Sequence, residues 1–98
     1  MFRHISLLRW TDDSTPEQRA AVLSGLRDLP GAIPEIRSYT LGVDAGLAAE
    51  GNSDLAIVAD FDDVDSYVVY RDHPVHQDLI ARLIRPILAS RAALQHEI

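Results

Sequence analysis

Residues 2–10 alternate between two sides of an extended chain, and large apolar side chains occur on both sides. One side carries Arg3, Ile5, Leu7 and Arg9, and the other carries Phe2, His4, Ser6, Leu8 and Trp10. A period of two residues indicates a β-strand, and apolar residues on both of its faces indicate a strand that is covered on both sides. Any fold for this chain must therefore bury both faces of one sheet.

The segment that follows predicts a helix with clear signals at both ends. Thr15 and Gln18 have the spacing of a capping box, and Pro16 suits the first helical position. Apolar residues then recur at helical spacing at Val22, Leu23, Leu26 and Leu29. The pair Pro30-Gly31 predicts the end of this helix.

The middle of the chain predicts two strands joined by a polar loop. Residues 36–43 and 54–61 each alternate between apolar and smaller or polar side chains. The apolar positions are Tyr39, Leu41 and Val43 in the first segment and Leu55, Ile57, Ala59 and Phe61 in the second. Residues 44–53 contain two glycines and several acidic or amide side chains, which favours a loop.

A second helix is predicted after Asp62-Asp63, because either aspartate can cap its first turn. His73 precedes a proline, which disfavours helical backbone, so we expect a break at His73-Pro74. Apolar residues continue at helical spacing after the break until Pro86 interrupts them. Residues 91–98 alternate again and predict a last strand.

The order of elements is therefore β-α-β-β-α-β, which is the ferredoxin-like split βαβ arrangement of the α+β class. We predict one domain over residues 1–98, with a four-stranded antiparallel sheet. Helices on one side of such a sheet leave its other face bare, and a large bare apolar face is uncommon on a monomer. The same face of a second copy would cover it with two-fold symmetry, so we expect a homodimer through the sheet face.

The composition narrows the classes of partner. The chain has 9 Lys and Arg residues against 15 Asp and Glu, a formal net charge of −6, which argues against nucleic acid and anionic membranes. Its apolar runs are far shorter than the roughly 18 residues of a membrane span, and the N-terminus has no apolar signal segment. It contains no cysteine, so no disulfide can stabilise the fold. We expect a cytoplasmic protein.

Few residue patterns in the chain indicate a specific chemistry. His73 and His76 lie three residues apart beside Asp72 and Asp78, but no motif supplies a third ligand, so we predict no metal site. There is no glycine-rich phosphate loop, no nucleophile elbow and no cysteine nucleophile. The histidines and tyrosines remain as candidates for acid–base work.

An ordered set of short motifs extends along nearly the whole chain. The set comprises Arg3-His4-Ile5, Leu29-Pro30-Gly31, Ile33-Pro34, Ile36, Phe61-Asp62-Asp63, Tyr70-Arg71-Asp72-His73-Pro74-Val75-His76 and Ile84-Arg85-Pro86. At these spacings the chain resembles the stress-responsive dimeric A/B barrel family. The resemblance implies a ferredoxin-like subunit whose sheet packs on the sheet of a partner to form a dimeric α/β barrel.

The resemblance also implies candidate site residues. One plant member, olivetolic acid cyclase, folds a linear polyketide and closes its ring by an aldol step. Its catalytic tyrosine and histidine correspond to Tyr70 and His76, and a histidine of its pocket corresponds to His4. We add His73, beside the predicted break, as a second residue that could contact a substrate. A further pocket histidine of that enzyme corresponds to Leu55, where this chain departs from the pattern.

Three functions follow from this resemblance. The first is a cofactor-free, polyketide cyclase-like lyase in which His76 takes a proton from carbon and Tyr70 holds the developing enolate. The second is a non-catalytic homodimer that binds a small apolar or polyketide-like ligand or acts in a stress response. The third is a cofactor-free monooxygenase. The sequence alone does not select among them.

Overall fold

The alternating N-terminal segment forms an inner strand of one antiparallel sheet. In a computed structural model, which describes residues 1–98, β1 spans Phe2–Trp10, β2 Ser38–Val43, β3 Leu55–Phe61 and β4 Leu88–Glu97. The sheet order is β2-β3-β1-β4, and all neighbours pair antiparallel. The predicted ferredoxin-like α+β fold is confirmed.

Helix α1, Pro16–Ala32, connects β1 to β2, while α2, Val64–Asp72, and α3, Pro74–Leu79, follow β3. The predicted capping box is present, because the Thr15 hydroxyl accepts from Gln18 N at 3.1 Å and Gln18 Oε1 accepts from Thr15 N at 2.8 Å. Asp63 caps α2 by accepting from Ser66 N at 2.8 Å. Two of the helix starts therefore form where the sequence predicts them.

Three boundaries differ clearly from the prediction, and one is the start of β2, at Ser38 rather than at residue 36. Helix α1 continues through Pro30 and Gly31, because Ile33 N still donates to Leu29 O at 2.8 Å and the Ile33 side chain is fully buried. After α3 the chain forms a π-helical turn, Ile80–Ile84, and a 3₁₀ turn, Arg85–Ile87, around Pro86. These turns shorten the helical segment, so β4 begins at Leu88 rather than at residue 91.

The two faces of the sheet have different surroundings. The face that carries His4, Ser6, Leu8 and Trp10 is buried beneath the helices, and it joins a core formed with residues such as Val22, Leu26, Leu29, Leu79 and Ile84. No helix covers the other face. Its centre is apolar, with Ile5, Leu7, Val58, Ala92 and Leu94, and the Leu94 side chain is 61% exposed. None of the helices is long and apolar enough to span a membrane.

Candidate functional site

A cavity of about 550 Å³ lies between the helices and the β1–β4 half of the sheet. The side chains that give it chemical character are His4, Tyr67, Tyr70, Arg71, His76, Gln77, Arg85, Arg91 and Gln95, and its apolar wall includes Leu8, Leu26, Ile57, Ile80 and Ile84. An apolar cavity with a few convergent polar groups is the usual form of a small-molecule site. Three predicted site residues, His4, Tyr70 and His76, meet in this cavity.

The break between α2 and α3 positions His76. His73 has extended backbone angles, φ −60° and ψ 133°, so α2 ends and α3 begins within two residues. The last carbonyls of a helix have no intrahelical partner, and His76 Nδ1 contacts the carbonyl oxygen of Arg71 at 3.0 Å. A carbonyl only accepts, so Nδ1 carries the hydrogen and Nε2 keeps a lone pair.

The pairing of β1 with β4 positions His4. His4 lies opposite Gln95 in the register, and the Gln95 amide nitrogen contacts His4 Nδ1 at 2.8 Å. An amide nitrogen only donates, so in this arrangement Nδ1 accepts and Nε2 carries the hydrogen. His4 therefore presents a donor where His76 presents an acceptor.

Both free ring nitrogens are accessible to a ligand. Neither His4 Nε2 nor His76 Nε2 has a protein hydrogen-bond partner. No buried side-chain nitrogen or oxygen in the molecule lacks a partner, so these two atoms must reach solvent. Since both residues line the cavity, it offers a hydrogen-bond acceptor and a hydrogen-bond donor to the same bound molecule.

Tyr70 lies between the two histidines. Its ring centroid is 4.2 Å from that of His76 and 6.2 Å from that of His4. Its hydroxyl is 2.9 Å from the Tyr39 hydroxyl. Burial raises the pKa of Tyr70 to about 12, so the phenol stays protonated at neutral pH and can donate a hydrogen bond.

The surroundings keep both histidines neutral. The pKa of His4 is lowered to about 4, mainly by burial and to a smaller extent by electrostatic interactions with Arg91 and His76. Burial also lowers the pKa of His76, although its hydrogen bond to the Arg71 carbonyl acts in the opposite direction. A neutral imidazole is the form that can accept a proton, so the site suits general base chemistry near neutral pH.

Arginine dominates the charge of the cavity. Arg71, Arg85 and Arg91 line it, whereas no aspartate or glutamate does. Arg71 pairs with Asp72 at 2.9 Å, but Arg85 and Arg91 belong to none of the four ion pairs of the molecule. Two positive charges in the cavity are therefore uncompensated.

The remaining predicted positions lie outside the cavity. His73 is not among its lining residues, and its Nδ1 accepts from Val75 N at 3.2 Å, which caps α3. Leu55 is buried in the core beside β2. No group of three or more His, Cys, Asp or Glu side chains could hold a metal ion.

Some site residues were not singled out from the sequence. Tyr39 was assigned only to a strand face, and Gln95 and Arg91 only to the last strand. Their partnership with the site comes from the register, which pairs His4 with Gln95 and Leu8 with Arg91 and so places these side chains on the cavity side. The alternation of residues 91–98 already places Arg91 and Gln95 on the same face of a strand. Only the pairing of β1 with β4 shows that this face is the one that lines the cavity.

A second depression lies away from this chemistry. It follows β2 and the loop of residues 44–53, has a volume of about 590 Å³ and is lined by no histidine, tyrosine or arginine. Asp44 organises the loop by accepting from Gly46 N at 3.2 Å and from Asn52 Nδ2 at 3.1 Å. Residues 44–53 do not line the cavity that contains His76.

Several solved structures have the same fold as this chain, and they are described in different ways. A dimeric ferredoxin-like protein of unknown function from Thermobifida fusca is 48% identical, with a TM-score of 0.89 over 99% of this chain and 90% of that one. A dimeric ferredoxin-like protein of unknown function from Bacteroides fragilis is 25% identical, with a TM-score of 0.82 over 99% and 95%.

A more distant neighbour carries an enzyme name. Hydroxynitrile lyase from Passiflora edulis is 21% identical, with a TM-score of 0.85 over 99% of this chain and 92% of that one, a likeness of fold. No curated protein matches the sequence. The model of the stress-responsive A/B barrel domain matches residues 2–97. Because that match extends over nearly the whole chain, this chain belongs to the stress-responsive A/B barrel domain family.

Proposed function

We propose that this protein is a homodimeric, cofactor-free lyase or cyclase that moves protons on a small carbonyl compound bound in the cavity. The observation that carries the proposal is the state of His76, whose Nδ1 donates to the Arg71 carbonyl while Nε2 opens to the cavity beside Tyr70. A neutral, solvent-reaching imidazole next to a protonated phenol is a base beside a hydrogen-bond donor, which are the two groups that enolate chemistry needs.

The proposed step is an aldol-type ring closure of a polyketide-like chain. His76 Nε2 takes a proton from a carbon between two carbonyls, and the electron pair of that C–H bond moves to the carbonyl oxygen. The Tyr70 hydroxyl donates a hydrogen bond to the resulting enolate. The enolate carbon attacks a second carbonyl, and the new alkoxide takes the proton back from the His76 imidazolium, which restores neutral His76 without any cofactor. His4 Nε2–H can donate a hydrogen bond to the alkoxide but keeps its proton.

The contact between the two tyrosines leaves Tyr70 able to act as a donor. The two hydroxyl oxygens lie 2.9 Å apart, and either can donate to the other. Because Tyr70 lines the cavity and Tyr39 does not, we propose that Tyr39 donates when a ligand is bound, so that the Tyr70 proton is directed to a ligand oxygen. Tyr39 would act as a positioning residue, since it is not among those that line the cavity.

A specific observation also favours a binding protein that carries out no reaction. The three central polar side chains already have protein partners, Tyr39 for Tyr70, Gln95 for His4 and the Arg71 carbonyl for His76. Side chains that are held in place by such partners can also fix a ligand in one orientation without reacting with it. The cavity of a binding protein would have the same geometry as that of an enzyme. The two proposals are therefore distinguished by whether a bound compound is converted to a product.

The test is turnover of a small panel with two matched variants. The panel contains a linear β-triketone, a fluorogenic β-hydroxyketone that releases an aldehyde on retro-aldol cleavage, and an aromatic cyanohydrin. We expect one class to react and His76→Gln to lower kcat by about 10²–10⁴-fold, the usual contribution of a general base. His96→Gln, the same change at an exposed histidine outside the cavity, keeps the wild-type rate.

Other outcomes would reject the enzyme. Equal rates for wild type and His76→Gln would show that His76 is not the general base, which contradicts the proposed enzyme. A panel member that binds and is released unchanged favours the binding protein, and oxygen consumption with an anthrone-like compound would favour the monooxygenase. Circular dichroism of His76→Gln must match that of the wild type for the comparison to count.

The homodimer is part of the same proposal. The apolar centre of the open sheet face, with Ile5, Leu7, Val58 and Leu94, lies on the side opposite the cavity. The Thermobifida fusca relative is described as dimeric. Pairing the open faces of two copies would bury these side chains and leave both cavities accessible, consistent with the two-fold assembly expected from the sequence.

A further inference from the structure

We propose that the ligand of this cavity carries a carboxylate, which Arg85 and Arg91 bind at the cavity mouth while an apolar body occupies the interior. The inference rests on the proposed function, since it names the class of molecule that the same cavity takes. Its evidence is the distribution of charge around the cavity and is separate from the tautomers of the histidines.

The charge of the cavity is opposite to the charge of the chain. The sequence carries a formal net charge of −6, yet three arginines and no acidic residue line the cavity. Arg85 and Arg91 form no ion pair and face the same volume, which is the electrostatic arrangement that attracts an anion.

The position of Arg91 in the sheet directs it to the cavity. Arg91 pairs with Leu8 in the register, so it shares the covered face of the sheet with His4 and Leu8. Its charge acts on the pKa values of His4, Tyr70 and His76, which places the guanidinium within electrostatic range of all three. An anion bound by Arg91 would therefore sit near the reacting groups.

Arg85 approaches the cavity from the 3₁₀ turn that precedes β4. Arg85 and Arg91 are both exposed and form no side-chain hydrogen bond within the protein, so their donors are available. Guanidinium groups bind carboxylates through two parallel hydrogen bonds, a geometry that a lysine cannot supply. Two arginines thus provide donors for both oxygens of one carboxylate.

The remainder of the wall indicates what is attached to the carboxylate. Leu8, Leu26, Ile57, Ile80 and Ile84 form an apolar surface in the same cavity. A ligand with one charged end and an apolar chain or ring matches this division. The volume of about 550 Å³ accommodates a molecule of roughly the size of a medium-chain acid.

The experiment compares octanoate with octanamide, which differ in charge but hardly in shape. Titrations followed by isothermal calorimetry and by amide chemical shifts are made on the wild type, Arg85→Gln, Arg91→Gln and Arg27→Gln. Arg27 is an exposed arginine of α1 that forms no ion pair and lies outside the cavity, so its variant changes the net charge equally. We expect octanoate to bind at least about tenfold more tightly than octanamide.

Each cavity variant should lower octanoate affinity about tenfold and leave octanamide unchanged, whereas Arg27→Gln stays within about twofold of the wild type. Equal affinities for octanoate and octanamide, or equal losses in all three variants, would overturn the carboxylate site. The absence of any binding by either compound would also overturn it. If His76→Gln keeps the wild-type turnover, the proposed enzyme mechanism is contradicted but the carboxylate site is not. The preference of the cavity for a charged ligand does not depend on His76.

Discussion

At the scale of single residues, two histidines of the same chain are held in opposite tautomers. His76 donates from Nδ1 because its partner is a carbonyl, and His4 accepts at Nδ1 because its partner is an amide NH₂. The resemblance pointed to both residues, but not to these states. The tautomers depend on Arg71 and Gln95, whose positions follow from the helix break and from the strand register.

His4 makes stability depend on pH. Its pKa is about 4 in the folded protein against 6.5 for an ordinary histidine, so the unfolded chain binds more protons between these values. The contribution of neutral His4 to the free energy of unfolding is fully present above about pH 6.5. It is lost as the pH drops towards 4, by up to about 3 kcal/mol for a pKa difference of this size. Half-buried His76, whose pKa is also lowered, adds a loss in the same direction.

Urea unfolding at pH 7.0 and 4.5 measures this effect. We expect His4→Gln, which can still accept from Gln95, to be less stable than wild type at pH 7.0 but to lose much less stability on acidification. His96→Gln, at an exposed position, retains the wild-type pH dependence. A wild-type slope that persists in His4→Gln would show that another group is responsible.

At the scale of elements, the sequence predicts the first residues of the helices better than their last residues. The capping box at Thr15 and the cap at Asp63 are local hydrogen-bond patterns, and both form as expected. Pro30 failed as a stop signal because the loss of one N–H is outweighed by burial of Ile33 at the end of α1. The π turn at residues 80–84 depends on packing against α1 and has no local signature.

The same substitution, glycine to alanine, should have opposite effects on stability at two positions of α1. A Cβ at Gly25 would lie 2.5 Å from Leu79 Cδ1, whereas a Cβ at Gly31 would meet nothing within 4 Å. Leu79 is only 4% exposed, so it has little room to move aside. We expect Gly25→Ala to destabilise by about 1 kcal/mol, because overpacking exceeds the gain in helix propensity.

Gly31→Ala lies in the last turn of the same helix and serves as the matched control. It should stabilise by about 0.5–1 kcal/mol, because alanine reduces the freedom of the unfolded chain at no steric cost. Thermal unfolding of both variants measures the difference. A stabilised Gly25→Ala would contradict the close approach of α1 and α3.

At the scale of the whole molecule, the chain covers one face of its sheet and leaves the other open. The alternation of β1 already required two covered faces, and the helices supply only one of the covers. The fold was predictable from the order of elements along the whole chain, and the apolar faces of residues 2–10 predicted a partner. The cavity was not predictable, because Arg85, Arg91 and Tyr39 come close to His4 and Tyr70 only after the sheet has formed.

The oligomeric state tests the role of the open face. Leu94→Glu places a charge at its centre, on a side chain that is 61% exposed in the single chain and is not part of the cavity. We expect wild type to elute with the mass of a dimer in light-scattering chromatography and the variant to shift towards monomer. Ala89→Glu, an exposed position near the start of β4 and outside the apolar centre, is the control. A Leu94→Glu protein that remains dimeric would place the interface elsewhere.

The measurement that tests the central claim most directly is the tautomer of each histidine, read from ¹⁵N chemical shifts of the imidazole rings at pH 7. The four histidines are assigned with single His→Gln variants. The account predicts that His76 carries its proton on Nδ1 and His4 on Nε2, both neutral, so that the cavity holds one base and one donor. His76 protonated on Nε2, or charged at pH 7, would contradict it, because no lone pair would then face the cavity.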